Sequence, residues 1–391
     1  MQCIENHYFS GMEKNIRHQF KQQFGKDALL VAAPGRINLI GEHTDYNNGF
    51  VLPGAVDKKI YSAIAKNNTK KLNLYASQYR EKLSFPLDGL APTSGWATYL
   101  LGMVYYLQEK GHSIGGMDIL IDGDVPVGAG LSSSAALCSA FGFAVNELFQ
   151  LGLTRMELAL MGQKTEHHFA GVNCGIMDQF ASLQGKIGNL MKLDCRSLEF
   201  EYIPFDFPDY RMVLVNSMIS HALAGTEYNI RRQQCEEGVA ILQKHIPSAS
   251  SLRDISIEEV QQYQDEFSEV VYRRCSFIIN ENNRVLKACQ FLSNRDLFSF
   301  GQLLFETHDG LSRLYEVSCK ELDFLAGSAR AFQGVIGARM MGGGFGGCTI
   351  NIVEERLADD FTLGMKAAYE KQFGIIPEVY STKVEDGAKI I

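Results

Sequence analysis

The alternation of apolar and polar residues over 116–122 predicts a β-strand with one wetter face. Positions 117, 119 and 121 are apolar, and Asp118 and Asp122 stand between and after them, which is the period of two typical of a half-buried strand. A stretch rich in glycine and serine follows at 126–137, and an apolar helical pattern then runs to about Gln150. The order is therefore strand, flexible loop and helix start.

The same periodicities predict the other elements. Helices are expected over 12–25, 95–110, 154–169, 227–244, 268–292 and 296–326, with a short one starting near 176. Strands are expected at 27–33, 188–193 and 211–216, and as a pair, 60–65 with 71–75, joined by a turn at Asn67 and Asn68. Thr154 and Glu157 predict a capping box, and the single tryptophan, Trp96, is expected in the core.

The composition is that of an ordinary globular protein. The chain has 391 residues, of which 46% are hydrophobic and 21% charged, enough for two domains with sizeable cores. We place the boundary at 205–208, which divides the chain into domains 1–205 and 206–391.

Charge and cysteine content narrow the class further. A net charge of −8 does not indicate a general nucleic-acid role, and a bound polyanion would need local cations or a metal. Nine cysteines without a Cys-x-x-Cys pair favour reduced thiols, and the first residues carry no secretion signal. We expect a cytoplasmic monomer that acts on small molecules, without a nucleic-acid or membrane partner.

The stretch 126–137, named here the phosphate loop, has the character of an anion-binding loop. Glycines allow close backbone approach, and the first helix amides lack internal partners. No lysine lies between Asp124 and Glu147, which excludes a Walker A loop, and Ser133 replaces the third glycine of a dinucleotide fingerprint. The alternative is a serine-rich helix cap; a membrane span is disfavoured by a proline, three glycines and four serines.

Several carboxylates are candidates for chemistry. Glu42, His43 and Asp45 lie within four positions of one another and could hold sugar hydroxyls, or form a solvated turn. Glu166 lies near a helix C-terminus, where the dipole disfavours it, so a metal would explain it; the alternative is a solvated glutamate. Asp178 in a first helical turn stays ionised easily, or merely stabilises the helix start.

The glycine-rich stretch 342–347, named here the glycine loop, matches Gly-x-Gly-x-x-Gly by letter. A strand at 348–353 follows it instead of a helix, so the dinucleotide-binding interpretation fails. Two explanations remain, a glycine hairpin and a close backbone approach to a ligand or to the other domain.

Five segments together resemble one family. The phosphate loop, the glycine loop and the segment 34–46 resemble the GHMP small-molecule kinases, and 34–46 is similar to the galactokinase signature almost throughout. Segments 173–179 and 227–229 also resemble galactokinases. The resemblance implies an α+β, two-domain GHMP kinase fold with the active site in the interdomain cleft, and ATP-dependent phosphorylation of α-D-galactose at the C1 hydroxyl, the first step of galactose metabolism.

The resemblance also implies residue roles. Galactose would be held by Glu42, His43, Asp45 and Tyr228. The ATP phosphates would be wrapped by Gly128, Ala129, Gly130, Leu131, Ser132, Ser133 and Ser134. Mg²⁺ would be held by Ser134 and Glu166. Asp178 would be the catalytic base at the C1 hydroxyl, which it orients and whose proton it accepts late, and Arg36 would be the cation that stabilises charge beside it.

One segment departs from the family pattern. Galactokinases usually have Arg-x-Arg-His before Glu-Asn-x-Arg, whereas this chain has Cys275, Ser276 and Phe277 after Arg274, which puts local helix contacts in doubt rather than activity. The rival hypotheses are a kinase for N-acetylgalactosamine, mevalonate or homoserine, and a non-catalytic galactose and ATP sensor. The complete serine run of the phosphate loop argues against the sensor.

Overall fold

The residues that the structure describes form three sheets, flanked by helices. The computed structural model describes residues 2–126, 128–220 and 224–391, so Val127 of the phosphate loop lies outside the described residues. The strands are β1 Leu29–Asn38, β2 Phe50–Val51, β3 Pro53–Lys66, β4 Lys71–Ala76, β5 Glu81–Pro86, β6 Met117–Gly123, β7 Asn189–Asp194, β8 Phe200–Pro204, β9 Tyr210–Ser220, β10 Val335–Met340, β11 Gly346–Glu354, β12 Glu378–Thr382 and β13 Lys389–Ile390. The helices are α1 Gln2–Phe24, α2 Ala97–Glu109, α3 Ser133–Phe149, α4 Arg155–Thr165, α5 Met177–Gln184, α6 Ala224–Leu242, α7 Ile257–Gln262, α8 Glu269–Ser293, α9 Leu297–Arg313, α10 Lys320–Ala331 and α11 Ala358–Phe373.

The six-stranded sheet is formed mainly by the N-terminal half of the chain and the four-stranded sheet by the C-terminal half, but one C-terminal strand joins the six-stranded sheet. The six-stranded sheet has the order β13-β1-β3-β6-β4-β5, the four-stranded sheet β10-β11-β9-β12, and the three-stranded sheet β2-β7-β8. Strand β13 pairs with β1 through Ile390 and Val31. The end of the chain therefore returns to the N-terminal sheet.

One hydrophobic core is shared by the two halves. It joins Ile37 of β1 and Leu131 of the phosphate loop to Leu214 and Ile350 of the four-stranded sheet. Burial of apolar surface on this scale is the main force that holds such elements together. The core therefore presses the phosphate loop and the glycine loop against each other. In the described part of the chain, no helix is both long and apolar enough to span a membrane.

Many predicted elements are confirmed. The predicted strand–loop–helix is β6, the phosphate loop and α3. The Thr154 side chain accepts a hydrogen bond from the Glu157 backbone N–H, and the Glu157 side chain accepts one from the Thr154 backbone N–H. These two bonds form the predicted capping box. The glycine loop joins β10 to β11, which pair in antiparallel fashion.

The predicted pairing of 60–65 with 71–75 is wrong, because β6 lies between these strands. Ile119 is the partner of both Ile64 of β3 and Leu74 of β4. The physical reason is that β6 is buried on both faces: Ile119 packs into one core, and Leu120 packs with Phe20 of α1 on the other side. A strand that is apolar on both faces belongs in the middle of a sheet. The wetter face expected for this strand is thus covered.

Strand β1 continues to Asn38 and so includes the first residues of the segment 34–46. One further expectation is corrected. The helix expected over 296–326 is interrupted between α9 and α10. Glu316 adopts a left-handed φ of 53° there, and the side chain of Tyr315 is fully buried. The helix therefore ends where its next aromatic residue has to enter the core.

Candidate active site

The phosphate loop lies between β1 and the glycine loop. Gly128 and Gly130 have φ of 77° and 72°, a conformation that glycine adopts without strain. A Cβ at Gly130 would lie 3.1 Å from the carbonyl oxygen of Met341, so this close approach needs glycine. Helix α3 begins at Ser133, and its first amides have no intrahelical partners and can bind an anion.

Arg36 of β1 and Asp178 of α5 form a bidentate ion pair. Arg36 Nε lies 2.8 Å from Asp178 Oδ1, and Arg36 Nη2 lies 2.9 Å from Asp178 Oδ2. Arg36 Nη1 donates to the carbonyl oxygen of Gly130 at 2.5 Å, and the Ser132 hydroxyl donates to Asp178 Oδ2. Ser132, expected only as a phosphate ligand, thus also orients the carboxylate. The structure brings the predicted base, its cation and the phosphate loop to one point.

Glu42 is held by groups from the C-terminal half. Its Oε1 accepts from Arg339 Nη2 at 2.7 Å and from the backbone N–H of Gly342 at 2.8 Å. Arg339 is fully buried, and it also donates to the carbonyl oxygens of Asn38 and Leu39. The orientation of Glu42 therefore depends on the contact between the two halves.

His43 is buried at the centre of an aromatic group. Its ring centroid lies 5.3 Å from that of Tyr228 and 4.9 Å from that of Tyr315, and its Nδ1 lies 2.7 Å from Tyr46 Oη. Its φ of 63° is a costly conformation for a residue other than glycine, of the kind that concentrates at functional sites. Burial and the nearby Arg231 lower the pKa of His43 to about 3, so the imidazole is neutral.

Asp45 faces the same cavity. Burial, and then the charge of Asp178, raise the pKa of Asp45 to about 7. A Cβ at Gly175 would lie 2.0 Å from Asp45 Oδ2, so glycine is required beside this carboxylate. A carboxyl group with such a pKa is poised to change its charge near neutral pH.

Ser134 and Glu166 approach each other at the start of α3. Burial raises the pKa of Glu166 to about 7, and a hydrogen bond from Ser134 opposes this rise. Glu166 is 6% exposed and starts the π-helical turn Glu166–Ala170 that follows α4. Such turns often occur at functional sites, and this one carries Glu166 into the site instead of leaving it in solvent.

Two cavities adjoin at Ser134 and Tyr99, which line both. One, of about 320 Å³, is lined by the predicted sugar residues with Arg36, Asp178 and Glu166. The other, of about 490 Å³, adjoins the phosphate loop and is lined by apolar and aromatic side chains that include Tyr79, Trp96, Leu137 and Phe169. Trp96, predicted to be a core residue, packs against a hydrophobic core but is only partly buried there, and it also lines this cavity.

The smaller cavity is strongly acidic. Of the described residues that line it, four are carboxylic acids and one is an arginine; the acids are Glu42, Asp45, Glu166 and Asp178. Asp178 and Glu42 are paired with arginines, but Asp45 and Glu166, whose pKa values are about 7, become charged as pH rises through neutrality. Their charge would repel a nucleotide phosphate unless a cation offset it. The described residues contain no group of three or more His, Cys, Asp or Glu side chains that could hold a metal. Magnesium does not need one, because it commonly takes one or two protein oxygens and fills its shell with phosphate and water.

Several residues at the site were missed in the sequence, and three of them show why. Arg339 precedes the glycine loop and had no assigned role, Tyr315 fell within a predicted helix, and Trp96 was assigned to the core. An arginine beside a run of glycines is a weak signal of a buried ion pair. No local pattern indicates the other two, because each reaches the site only through packing.

Comparison with known proteins identifies the class. The chain matches the family models described as GHMP kinases N terminal domain over residues 98–186, GHMP kinases C terminal over 287–371, and galactokinase galactose-binding signature over 18–66. It is 41% identical over 385 residues to a galactokinase of Exiguobacterium sibiricum, covering 96% of this chain and 98% of that one. A galactokinase of Clostridium acetobutylicum is 39% identical, covering 97% and 98%.

Solved structures agree. The crystal structure of Lactococcus lactis galactokinase complexed with galactose superposes with a TM-score of 0.94 at 35% identity, covering 97% of this chain and all of that one. A mevalonate kinase, with a TM-score of 0.63 at 17% identity over 92% of this chain and all of its own, shares the fold. The fold and site define a two-domain GHMP kinase, a phosphotransferase that acts on a sugar hydroxyl. The chain belongs to the galactokinase family.

Proposed function

We propose that this chain transfers the γ-phosphoryl group of ATP to the C1 hydroxyl of α-D-galactose. The observation that supports this most directly is the bidentate pair of Arg36 and Asp178, which lies beside the phosphate loop and lines the smaller cavity. A sugar hydroxyl placed against Asp178 would lie next to phosphates placed on the loop. Two substrates held in line in this way are what phosphoryl transfer requires.

The sugar would occupy the smaller cavity. Glu42, His43 and Asp45 offer two carboxyl groups and one neutral imidazole, and Tyr228 adds a phenol ring over which Gly343 passes, where an added Cβ would lie 3.5 Å from that ring. A few convergent polar groups beside an aromatic ring are typical of a small polyol site. The fixed orientation of Glu42 would favour one arrangement of the sugar hydroxyls.

The nucleotide would span the phosphate loop and the larger cavity. Backbone amides at the start of α3 would bind phosphate oxygens, and Trp96 with Tyr79 would offer ring faces for a purine base. Ser134 and Glu166 fit a magnesium ion, because both are oxygen ligands and both lie where the acidic cavity meets the loop. Magnesium there would offset the charge of the phosphates.

The chemical step assigns separate roles to the ion pair. Asp178 orients the C1 hydroxyl and accepts its proton late, when the bond to phosphorus is already forming. Arg36 stabilises the charge on the transferring group, since a guanidinium has five N–H donors and only some are engaged by Asp178 and Gly130. Ser132 holds the carboxylate in place through its hydroxyl.

An ADP-release assay tests the proposal. The purified chain with MgATP should release ADP when galactose is added, and the product should be a sugar 1-phosphate by ³¹P NMR. N-acetylgalactosamine in the same assay tests the room beside the sugar C2 position. Binding of galactose and ATP without turnover would instead identify a sensor. The division of the chain near residue 205, the monomeric state and the cytoplasmic location belong to the same proposal, and sedimentation and fractionation would test the last two.

A further inference from the structure

A line of hydrogen-bonded side chains runs from the sugar cavity into the C-terminal half. His43 Nδ1 lies 2.7 Å from Tyr46 Oη, and Tyr46 Oη lies 2.7 Å from Tyr315 Oη. Tyr315 Oη in turn lies 3.3 Å from Cys235 Sγ of α6. Tyr315 and Cys235 are almost fully buried, so solvent does not compete for the bond between them.

Tyr315, the third member of this line, packs against two other rings. The ring of Tyr315 lies 4.9 Å from that of Phe277 and 4.9 Å from that of His43, centroid to centroid. The backbone carbonyl of Tyr315 accepts from Arg231 Nε at 2.9 Å. Phe277 belongs to the segment that departs from the family pattern. That departure therefore touches the line leading to His43, which the sequence did not indicate.

The order of donors along the line follows from its ends. A neutral imidazole carries one N–H. The carbonyl of Gly343 favours a protonated ring nitrogen, whereas burial lowers the pKa of His43, and this carbonyl completes no hydrogen bond to Nε2. Because Nδ1 already faces Tyr46, this acceptor favours a proton on Nε2. Nδ1 must then accept from Tyr46, and Tyr46 must accept from Tyr315.

The bond between the two tyrosines agrees with this order. Burial raises the pKa of Tyr46, and Tyr315 opposes that rise as a hydrogen-bond donor to its oxygen. In the third bond either atom could donate. Because Tyr315 uses its single O–H on Tyr46 in this order, the Cys235 thiol, whose pKa burial raises to about 11, has to donate to Tyr315. Nε2 of His43 is buried and has no hydrogen-bond partner of normal geometry among the described residues, which leaves it for a ligand in the cavity.

We propose that Tyr315, acting through Tyr46, holds His43 in the tautomer protonated on Nε2, and so fixes it as a hydrogen-bond donor to an oxygen of the bound sugar. Tyr46 and Tyr315 are positioning residues in this scheme, since the described contacts place neither phenol oxygen among the groups facing the sugar. The role rests on the proposed function, because the sugar is the acceptor that Nε2–H is oriented to meet.

Ring ¹⁵N spectra of the histidine-labelled chain test the tautomer directly. Nine histidines are present, and the signals of His43 are those lost in His43→Gln. We expect an unprotonated Nδ1 and a protonated Nε2 in the wild-type chain, and a mixture of tautomers in Tyr315→Phe, because Tyr46 could then either donate or accept. A proton on Nδ1 in the wild type, or an unchanged His43 spectrum in Tyr315→Phe, would overturn the proposal.

Kinetics supply the second readout. Tyr46→Phe should raise the KM for galactose roughly 3- to 10-fold, and Tyr315→Phe about 2- to 5-fold, the range expected for neutral hydrogen bonds, with the KM for ATP unchanged. Since Tyr315 acts through Tyr46, the double variant should match Tyr46→Phe alone; additive effects would contradict the relay. Tyr369→Phe is the matched control, because it removes a buried hydroxyl bonded to the Ser217 carbonyl in a separate core.

The ring spectra test the tautomer and the ADP-release assay tests the proposed function, so a negative result in one does not imply a negative result in the other. A chain that released no ADP with galactose would refute the proposed function, while the ring spectra would still confirm or refute the tautomer. If Tyr315→Phe melted far below Tyr369→Phe, Tyr46→Phe would carry the test, since its side chain is only partly buried. An unchanged ring spectrum in Tyr46→Phe would overturn the proposal.

Discussion

Arg339 and Glu42, which are 297 positions apart in sequence, form an ion pair between the two halves of the chain, with 2.7 Å between Arg339 Nη2 and Glu42 Oε1. Both side chains are almost completely buried. A buried pair of this kind contributes little net stability compared with apolar packing, but removing one partner leaves an uncompensated charge. The pair serves instead to orient Glu42, a predicted sugar-binding residue, through an arginine that belongs to the other half of the chain.

Arg339→Lys tests this relationship. Lysine keeps the charge but cannot reach Glu42 and the carbonyls of Asn38 and Leu39 together. We expect the KM for galactose to rise at least 10-fold and the free energy of unfolding to fall by about 3 kcal/mol, the order found when a buried pair is broken. Arg330→Lys is the control, since its pair with Asp309 is solvent-exposed and is worth at most about 1 kcal/mol. Similar effects in both variants would contradict the assigned role.

Asp178→Asn should nearly abolish turnover. The amide keeps the shape of the carboxylate but cannot accept the hydroxyl proton, so kcat should fall roughly 100- to 10,000-fold, with the affinity for ATP nearly intact. Steady-state kinetics and a nucleotide-binding titration measure the two quantities. Retention of more than about a tenth of the activity, worth roughly 1.4 kcal/mol of barrier, would exclude Asp178 as the proton acceptor; Asp178→Ala should behave alike.

Arg36→Ala separates charge stabilisation from nucleotide binding. The guanidinium is engaged by Asp178 and by the Gly130 carbonyl, so its loss removes a cation beside the transferring group and frees the carboxylate. We expect kcat to fall at least several-fold. A variant with normal kcat and only a raised KM for ATP would reassign Arg36 to nucleotide binding.

The raised pKa of Asp45, about 7, predicts a cost in stability that depends on pH. The pKa of an unfolded aspartate lies near 3.9, so the unfolded chain releases the Asp45 proton near that pH while the folded chain keeps it up to about pH 7. The free energy of unfolding therefore falls as pH rises from about 4 to about 7, and the full cost remains above pH 7. Without ligands, Asp45→Asn should therefore be more stable than the wild type at pH 8, and the difference should shrink towards pH 4. Urea unfolding at both pH values measures this; a difference that does not change with pH would contradict it.

Glu166→Gln tests the proposed magnesium site. The amide is a weaker ligand and carries no charge, so the Mg²⁺ concentration for half-maximal activity should rise about 10-fold or more, while the KM for galactose stays the same. Glu109→Gln, on the exposed end of α2, should leave both quantities unchanged. An unaltered magnesium dependence in Glu166→Gln would move the metal elsewhere.

Local chemistry explains what could be predicted. The capping box at Thr154 and Glu157 depends on residues three apart, and the placement of Asp178 in a first helical turn follows from the glycines before it. Glu42, His43 and Asp45 were found together because one short segment carries all three. Features of this kind depend on residues that are neighbours in sequence, so they can be predicted almost completely from those residues.

Long-range packing decided the rest. The insertion of β6 between β3 and β4 depends on α1 covering the face that carries Leu120. The local sequence of these strands does not reveal this contact. Arg339 reaches Glu42, and Tyr315 reaches His43, only because the two halves share a core. The amino-acid sequence by itself determined which chemical groups the site possesses. Their orientation, and the protonation that burial imposes on His43 and Asp45, were decided by the tertiary structure, because exclusion of water is a property of the whole fold.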